Sequence, residues 1–76
     1  INTAALKSLF KSVYGMPIAA YMKRYRIEKA AQLLQDTDDS IAHIASSVGY
    51  ESQSKFTAAF KDVMKMLPTD YRRQHM

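Results

Sequence analysis

The chain has 76 residues, of which 47% are apolar and 24% charged, with no cysteine and a net charge of +4 at neutral pH. That length supports one small core and excludes two, since at about this size only ~60% of the unfolded surface becomes buried. Lack of cysteine excludes a disulfide framework and a thiolate metal site, fits a reducing compartment such as the cytoplasm, and no apolar run reaches the roughly 20 residues of a membrane span. The residues from Ile1 to Lys7 lack the charged and apolar regions of a signal peptide. The chain starts without methionine and already in a helical pattern, so it reads as the C-terminal part of something longer.

A first helix is predicted from Asn2, a favourable N-cap, to Tyr14, because Ala5, Leu6, Leu9, Phe10 and Val13 share one face. Gly15 ends it as a C′ residue. Pro17 suits the first turn of a longer helix over 17–35, whose apolar positions include Ile18, Tyr21, Met22, Tyr25, Ala30, Leu33 and Leu34. Asp36, Thr37, Asp38 and Asp39 form a polar connector, and Ser40 can cap the next helix. In that helix Ile41, Ile44, Ala45 and Val48 recur at helical spacing, and Ala45 is small enough to admit a close neighbour. Gly49 supplies a turn with positive φ. From Ser52 to Met64, Phe56, Ala59, Phe60 and Val63 continue an apolar face, while Glu51, Gln53, Ser54, Lys55, Thr57 and Lys61 lie opposite it. Pro68 opens a short last helix over 68–74. No stretch alternates with period two, so the fold expected is all-α: two helix-turn-helix units joined by a long helix, the first unit incomplete.

Charge is unevenly distributed. Residues 1–35 carry +5, residues 36–54 carry −4, and residues 55–76 carry +3. Two basic stretches flanking an acidic connector fit two surfaces that meet phosphate, though a solvated helical surface gives a similar balance. A weak internal duplication accompanies this pattern. Leu9, Phe10 and Lys11, followed by Gly15, Met16, Pro17 and Tyr21, resemble Ala59, Phe60 and Lys61, followed by Lys65, Met66, Leu67, Pro68 and Tyr71. Tyr21, Tyr50, Phe56, Phe60 and Tyr71 fall at core spacing, which disfavours a role as stacking platforms for single strands.

Nearly the whole chain resembles the AraC/XylS family of bacterial transcription regulators. The residues that carry the likeness are Leu6–Lys11 with Gly15 and Met16, Tyr21 with Arg26–Ala30, Leu33 and Leu34, Ser40–Tyr50, Ser52–Phe56, Phe60 and Lys61, and Pro68–Arg73. The resemblance implies a seven-helix DNA-binding domain of which residues 1–76 are a part, with the first helices expected upstream of Ile1. Residues 1–14 would be the recognition helix of the first unit, 17–35 the linker helix, 40–64 the second unit and 68–74 the C-terminal helix. Family members usually add an N-terminal effector or dimerisation domain and contact RNA polymerase. Lys65 and Leu67 stand where the family commonly has glycine and threonine, His43 where it often has glutamate, and Ala58 where many relatives have a large polar base-reader.

The expected partner is double-stranded DNA. A 17–35 helix spans about 28 Å, close to the roughly 34 Å pitch of B-DNA, so two readers could enter successive major grooves. Gln53 can pair with adenine N6 and N7, Ser54 can bond a base edge, and Ala58 can touch only a thymine methyl. In the first reader Lys7 can reach guanine, with Ala4 and Ser8 beside it. Lys11, Lys55, Thr57 and Lys61 are expected phosphate anchors, with amides near Ser40 and Ser52 adding helix N-termini. Gln53 and Ser54 could also be plain surface residues, and Lys11 and Lys61 could simply lay their stems beside the core. Arg26, within the linker helix, is assigned mainly to pairing with an acidic group or helix end, and Glu51 to capping or solvent. Catalysis is disfavoured, because His43 and His75 are far apart and no metal, nucleophile or phosphate-loop pattern is present, so no cofactor is expected. A basic helix on an anionic membrane and a helical module docking to polymerase or an effector domain are the rival functions.

Overall fold

The computed structural model describes residues 2–75; Ile1 and Met76, the ends of the expected domain, lie outside the described residues. Five helices follow in order: α1 (Thr3–Tyr14), α2 (Ile18–Asp36), α3 (Ile41–Ser47), α4 (Gln53–Met64) and α5 (Pro68–Gln74), with no strand among the described residues. The all-α expectation therefore holds.

Each boundary has a local cause. Asn2 and Ser52 cap α1 and α4 by accepting from the amides of Ala5 (2.7 Å) and Lys55 (3.1 Å), and Ser40 caps α3 by accepting from His43 (3.1 Å). The linker helix is shifted by one residue from 17–35. Pro17 stays extended (ψ 149°) as the cap residue, and Asp36 joins the last turn, where its carboxylate accepts from Gln32 at 2.7 Å. After α3 the amides of Gly49 and Tyr50 reach back to the carbonyls of Ser46 (3.0 Å) and Ala45 (2.9 Å), the paired bonds of a Schellman turn. Gly49 takes φ 93°, as its position requires. The Arg26 guanidinium lies against this turn, about 3.8 Å from where a Gly49 Cβ would stand, so Arg26 sits at a helix end rather than in an acidic pair.

The core is built from Ile27, Ala30, Ala31 and Leu34 of α2, Ile44, Ala45 and Val48, and Phe56, Ala59 and Phe60 of α4. Four alanines let α2, α3 and α4 approach closely around the two phenylalanines, both 0% exposed. Tyr50, Val63 and Tyr71 close its edge. Arg72 adds a polar lock the sequence reading did not assign. Its Nε and a terminal nitrogen donate to the carbonyls of Leu34 (3.2 Å) and Thr37 (3.1 Å), capping the C-terminal end of α2.

α1 contributes nothing to that core. Leu6, Leu9 and Val13 are 46%, 55% and 66% exposed. The expectation that Tyr21 is a core aromatic is also corrected: it is 36% exposed. It belongs instead to a small cluster with Phe10 (5.2 Å, edge-on) and Tyr14 (5.3 Å), which fastens α1 to the start of α2.

Candidate nucleic-acid interface

Five side chains of α4, Gln53, Ser54, Thr57, Ala58 and Lys61, border one shallow, open surface. Their spacing explains it, since residues three or four apart share a side of a helix and this side points away from Phe56, Ala59 and Phe60. The structure thus brings Gln53, Ser54 and Ala58 together as expected. Thr57 and Lys61, expected as phosphate anchors, border the same surface.

Lys55 does not border that surface. It lies on the flank of the helix, and its ammonium is 3.0 Å from the Glu51 carboxylate. Glu51 is itself exposed at the start of the turn into α4. The Ser52 and Ser40 hydroxyls are engaged as caps, so their contribution to an anion would come from neighbouring first-turn amides, Gln53 and Ser54 in the case of α4.

On α1, Lys7, Ser8 and Lys11 border a recess with Pro17, Ile18 and Ala19. Ala4, also exposed, lies one turn before Ser8. The two surfaces are versions of one design. α1 and α4 each have twelve residues, and every landmark recurs fifty positions later: cap Asn2 and Ser52, last-turn lysine Lys11 and Lys61, left-handed terminator Gly15 (φ 76°) and Lys65 (φ 63°). The Phe10–Tyr21 edge contact has its counterpart in Phe60–Tyr71 at 5.6 Å. By the same spacing Thr3, Ala4, Lys7, Ser8 and Lys11 match Gln53, Ser54, Thr57, Ala58 and Lys61.

Lys65 keeps the left-handed geometry although it lacks glycine's freedom, so the entry to α5 is not rerouted. One electrostatic feature lay outside the sequence reading. The Lys23 ammonium on α2 donates to the Asp62 carboxylate on α4 at 2.6 Å. That bond, with the nearby charge, holds the Asp62 carboxyl below its usual range and raises Lys23 above its own. No helix of the described residues is long and apolar enough to cross a membrane, and no group of three metal-ligating side chains occurs among them.

Two exposed polar helix faces, on α1 and α4, thus stand on a helix-turn-helix scaffold. Comparison with known proteins agrees: a family model described as a helix-turn-helix domain matches residues 1–74. A Streptomyces lividans protein described as an AraC-like transcription regulator is 41% identical over 73 residues, covering 96% of this chain and 24% of that protein. Among solved structures, the C-terminal domain of AraT, a response regulator from Geobacillus stearothermophilus, is 37% identical with a TM-score of 0.97 over 100% of this chain and 63% of that one. An AraC-type DNA-binding domain protein from Chromobacterium violaceum is 29% identical with a TM-score of 0.92, covering 99% of this chain and 67% of that one. The chain belongs to the AraC-type helix-turn-helix family. It spans about a quarter of the length of the curated regulators it matches.

Proposed function

We propose that this chain is the sequence-reading, double-stranded-DNA-binding part of a bacterial transcription regulator acting in the cytoplasm, with α1 and α4 entering successive major grooves on one side of the duplex. The observation that carries this reading is the fifty-residue recurrence of one capped helix with an exposed polar and basic face. α2, at about 28 Å, is close to one turn of B-DNA.

Gln53 reads adenine, Ser54 a neighbouring edge, and the Ala58 methyl a thymine methyl. Thr57, central on the α4 face and matched to Lys7, joins this base-reading group. On α1, Lys7 reaches guanine O6 or N7 between Ala4 and Ser8. Lys11 and Lys61, at equivalent last turns, anchor phosphate. Lys55 does so from the flank after leaving Glu51, and first-turn amides beside Ser52 and Ser40 add to the backbone contacts. A partner domain for effector binding or dimerisation fits the coverage of the longer regulators, and contact with RNA polymerase belongs to the same proposal.

Selection of the intact protein against random double-stranded DNA tests the reading. Two short blocks about 10 base pairs apart are expected. Gln53→Ala should relax one block by about 1–3 kcal/mol at a single position and leave the other intact, and Lys7→Ala should do the converse. One block alone would overturn the bipartite geometry. Folded protein enriching no sequence would favour a protein-docking module.

A further inference from the structure

The first half of α2 stands clear of the core: none of its residues from Ile18 to Arg26 is buried, and Ile27 is the first that is. That half carries α1, held through the Gly15 turn and the aromatic cluster of Phe10, Tyr14 and Tyr21. The polar locks of Arg72 on Leu34 and Thr37, and of Gln35 on Tyr71, all lie at the opposite end of α2. Among the described residues, one hydrogen-bonded ion pair joins the α1-bearing half of α2 to the second unit. It is Lys23–Asp62, bordering a cleft with Met16, Ala20, Val63 and Lys65.

We infer that the Lys23–Asp62 bond is a strut that sets the angle and spacing between the two reading helices, so that Asp62 and Lys23 determine which separation of DNA half-sites the protein accepts. This rests on the bipartite DNA-reading function proposed above. The lever is short but well placed. Asp62 follows Lys61 directly, yet its carboxylate turns toward α2 rather than to the reading surface, and Lys23 lies two residues from Tyr21 of the cluster that holds α1. Tilt about Ile27 moves α1 relative to α4 without changing any side chain that meets a base. Both residues are therefore positioning residues, acting through geometry.

The test is selection of the intact protein on a pool carrying its two preferred blocks at every separation from about 7 to 14 base pairs, around the helical repeat of the duplex. Wild type should favour one separation. Asp62→Asn and Lys23→Gln should each flatten that preference, by about threefold between the best and adjacent separations as befits an exposed pair, with base preferences inside each block unchanged. The exchanged pair, Lys23→Asp with Asp62→Lys, should restore it. An unchanged separation profile in Asp62→Asn would overturn the strut while leaving the bipartite reading intact. Uniform weakening by Lys23→Gln, with no rescue by the exchange, would make Lys23 a phosphate contact instead. Only one block enriched by wild type would remove the underlying reading itself.

Discussion

α1 and α4 share length, cap chemistry, terminator geometry and a Phe–Tyr edge contact, yet one is buried along a whole side and the other along almost none. Phe56, Ala59 and Phe60 correspond by position to Leu6, Leu9 and Phe10; the first three are core, whereas the two leucines are about half exposed. The difference teaches that helix start, helix stop and exposed polar face are written locally, while burial depends on which neighbours pack against the opposite side. α4 has α2 and α3 against it. Among the described residues, α1 packs on the first turns of α2.

The largest test of that contrast is truncation at the matched phenylalanines. Phe60→Ala should cost about 3–5 kcal/mol in urea unfolding of this chain, enough to unfold most of a domain this small, whereas Phe10→Ala should cost about 1 kcal/mol through the lost aromatic contacts. Equal costs would break the comparison. The terminators give a smaller effect of opposite signs. Lys65→Gly should raise stability by about 0.5–1 kcal/mol by relieving a left-handed lysine, and Gly15→Ala should lower it by about 1 kcal/mol, both read as shifts in the urea midpoint. The smallest effect belongs to the strut, which has no counterpart at Ser12 and Arg73, the positions fifty residues away.

Its pH dependence follows from the two shifts. Asp62 is lowered from an ordinary 3.8, so its contribution is present above that value and lost as pH falls through the lower folded value. Lys23 is raised from 10.5, so its contribution is present below that value and lost as pH rises past the higher folded value. The stability difference between wild type and Asp62→Asn should therefore be flat from about pH 5 to pH 9 and vanish in strong acid. It should also shrink in high salt, because both groups are exposed.

Most of the helical framework was legible in the residues themselves. Asn2 and Ser40 announced caps, Gly15 and Gly49 announced turns, and the spacing of Ile44, Ala45, Phe56 and Phe60 announced the core. Three features were not legible, each because it depends on distant parts of the chain. Tyr21 has core spacing, but it packs on Phe10 and Tyr14 of α1 and not in the core shared by α2, α3 and α4. Arg72 and the Lys23–Asp62 pair join residues more than thirty positions apart, which periodicity along one helix does not reveal. The candidate site was legible in part, since Gln53, Ser54 and Ala58 do share a surface, which Thr57 and Lys61 border as well.

The most direct measurement of the central claim, that α1 and α4 are two copies of one reader, is a face transplant. Gln53→Thr, Ser54→Ala, Thr57→Lys and Ala58→Ser together give the surface of α4 the residues of α1 at the matching positions. Selection on random duplex DNA should then return two blocks of the same sequence at the original separation, both equal to the block that Lys7→Ala relaxes in the unaltered protein. Retention of two unlike blocks by the folded transplant would contradict the account, because the bases would then be read by something other than these faces.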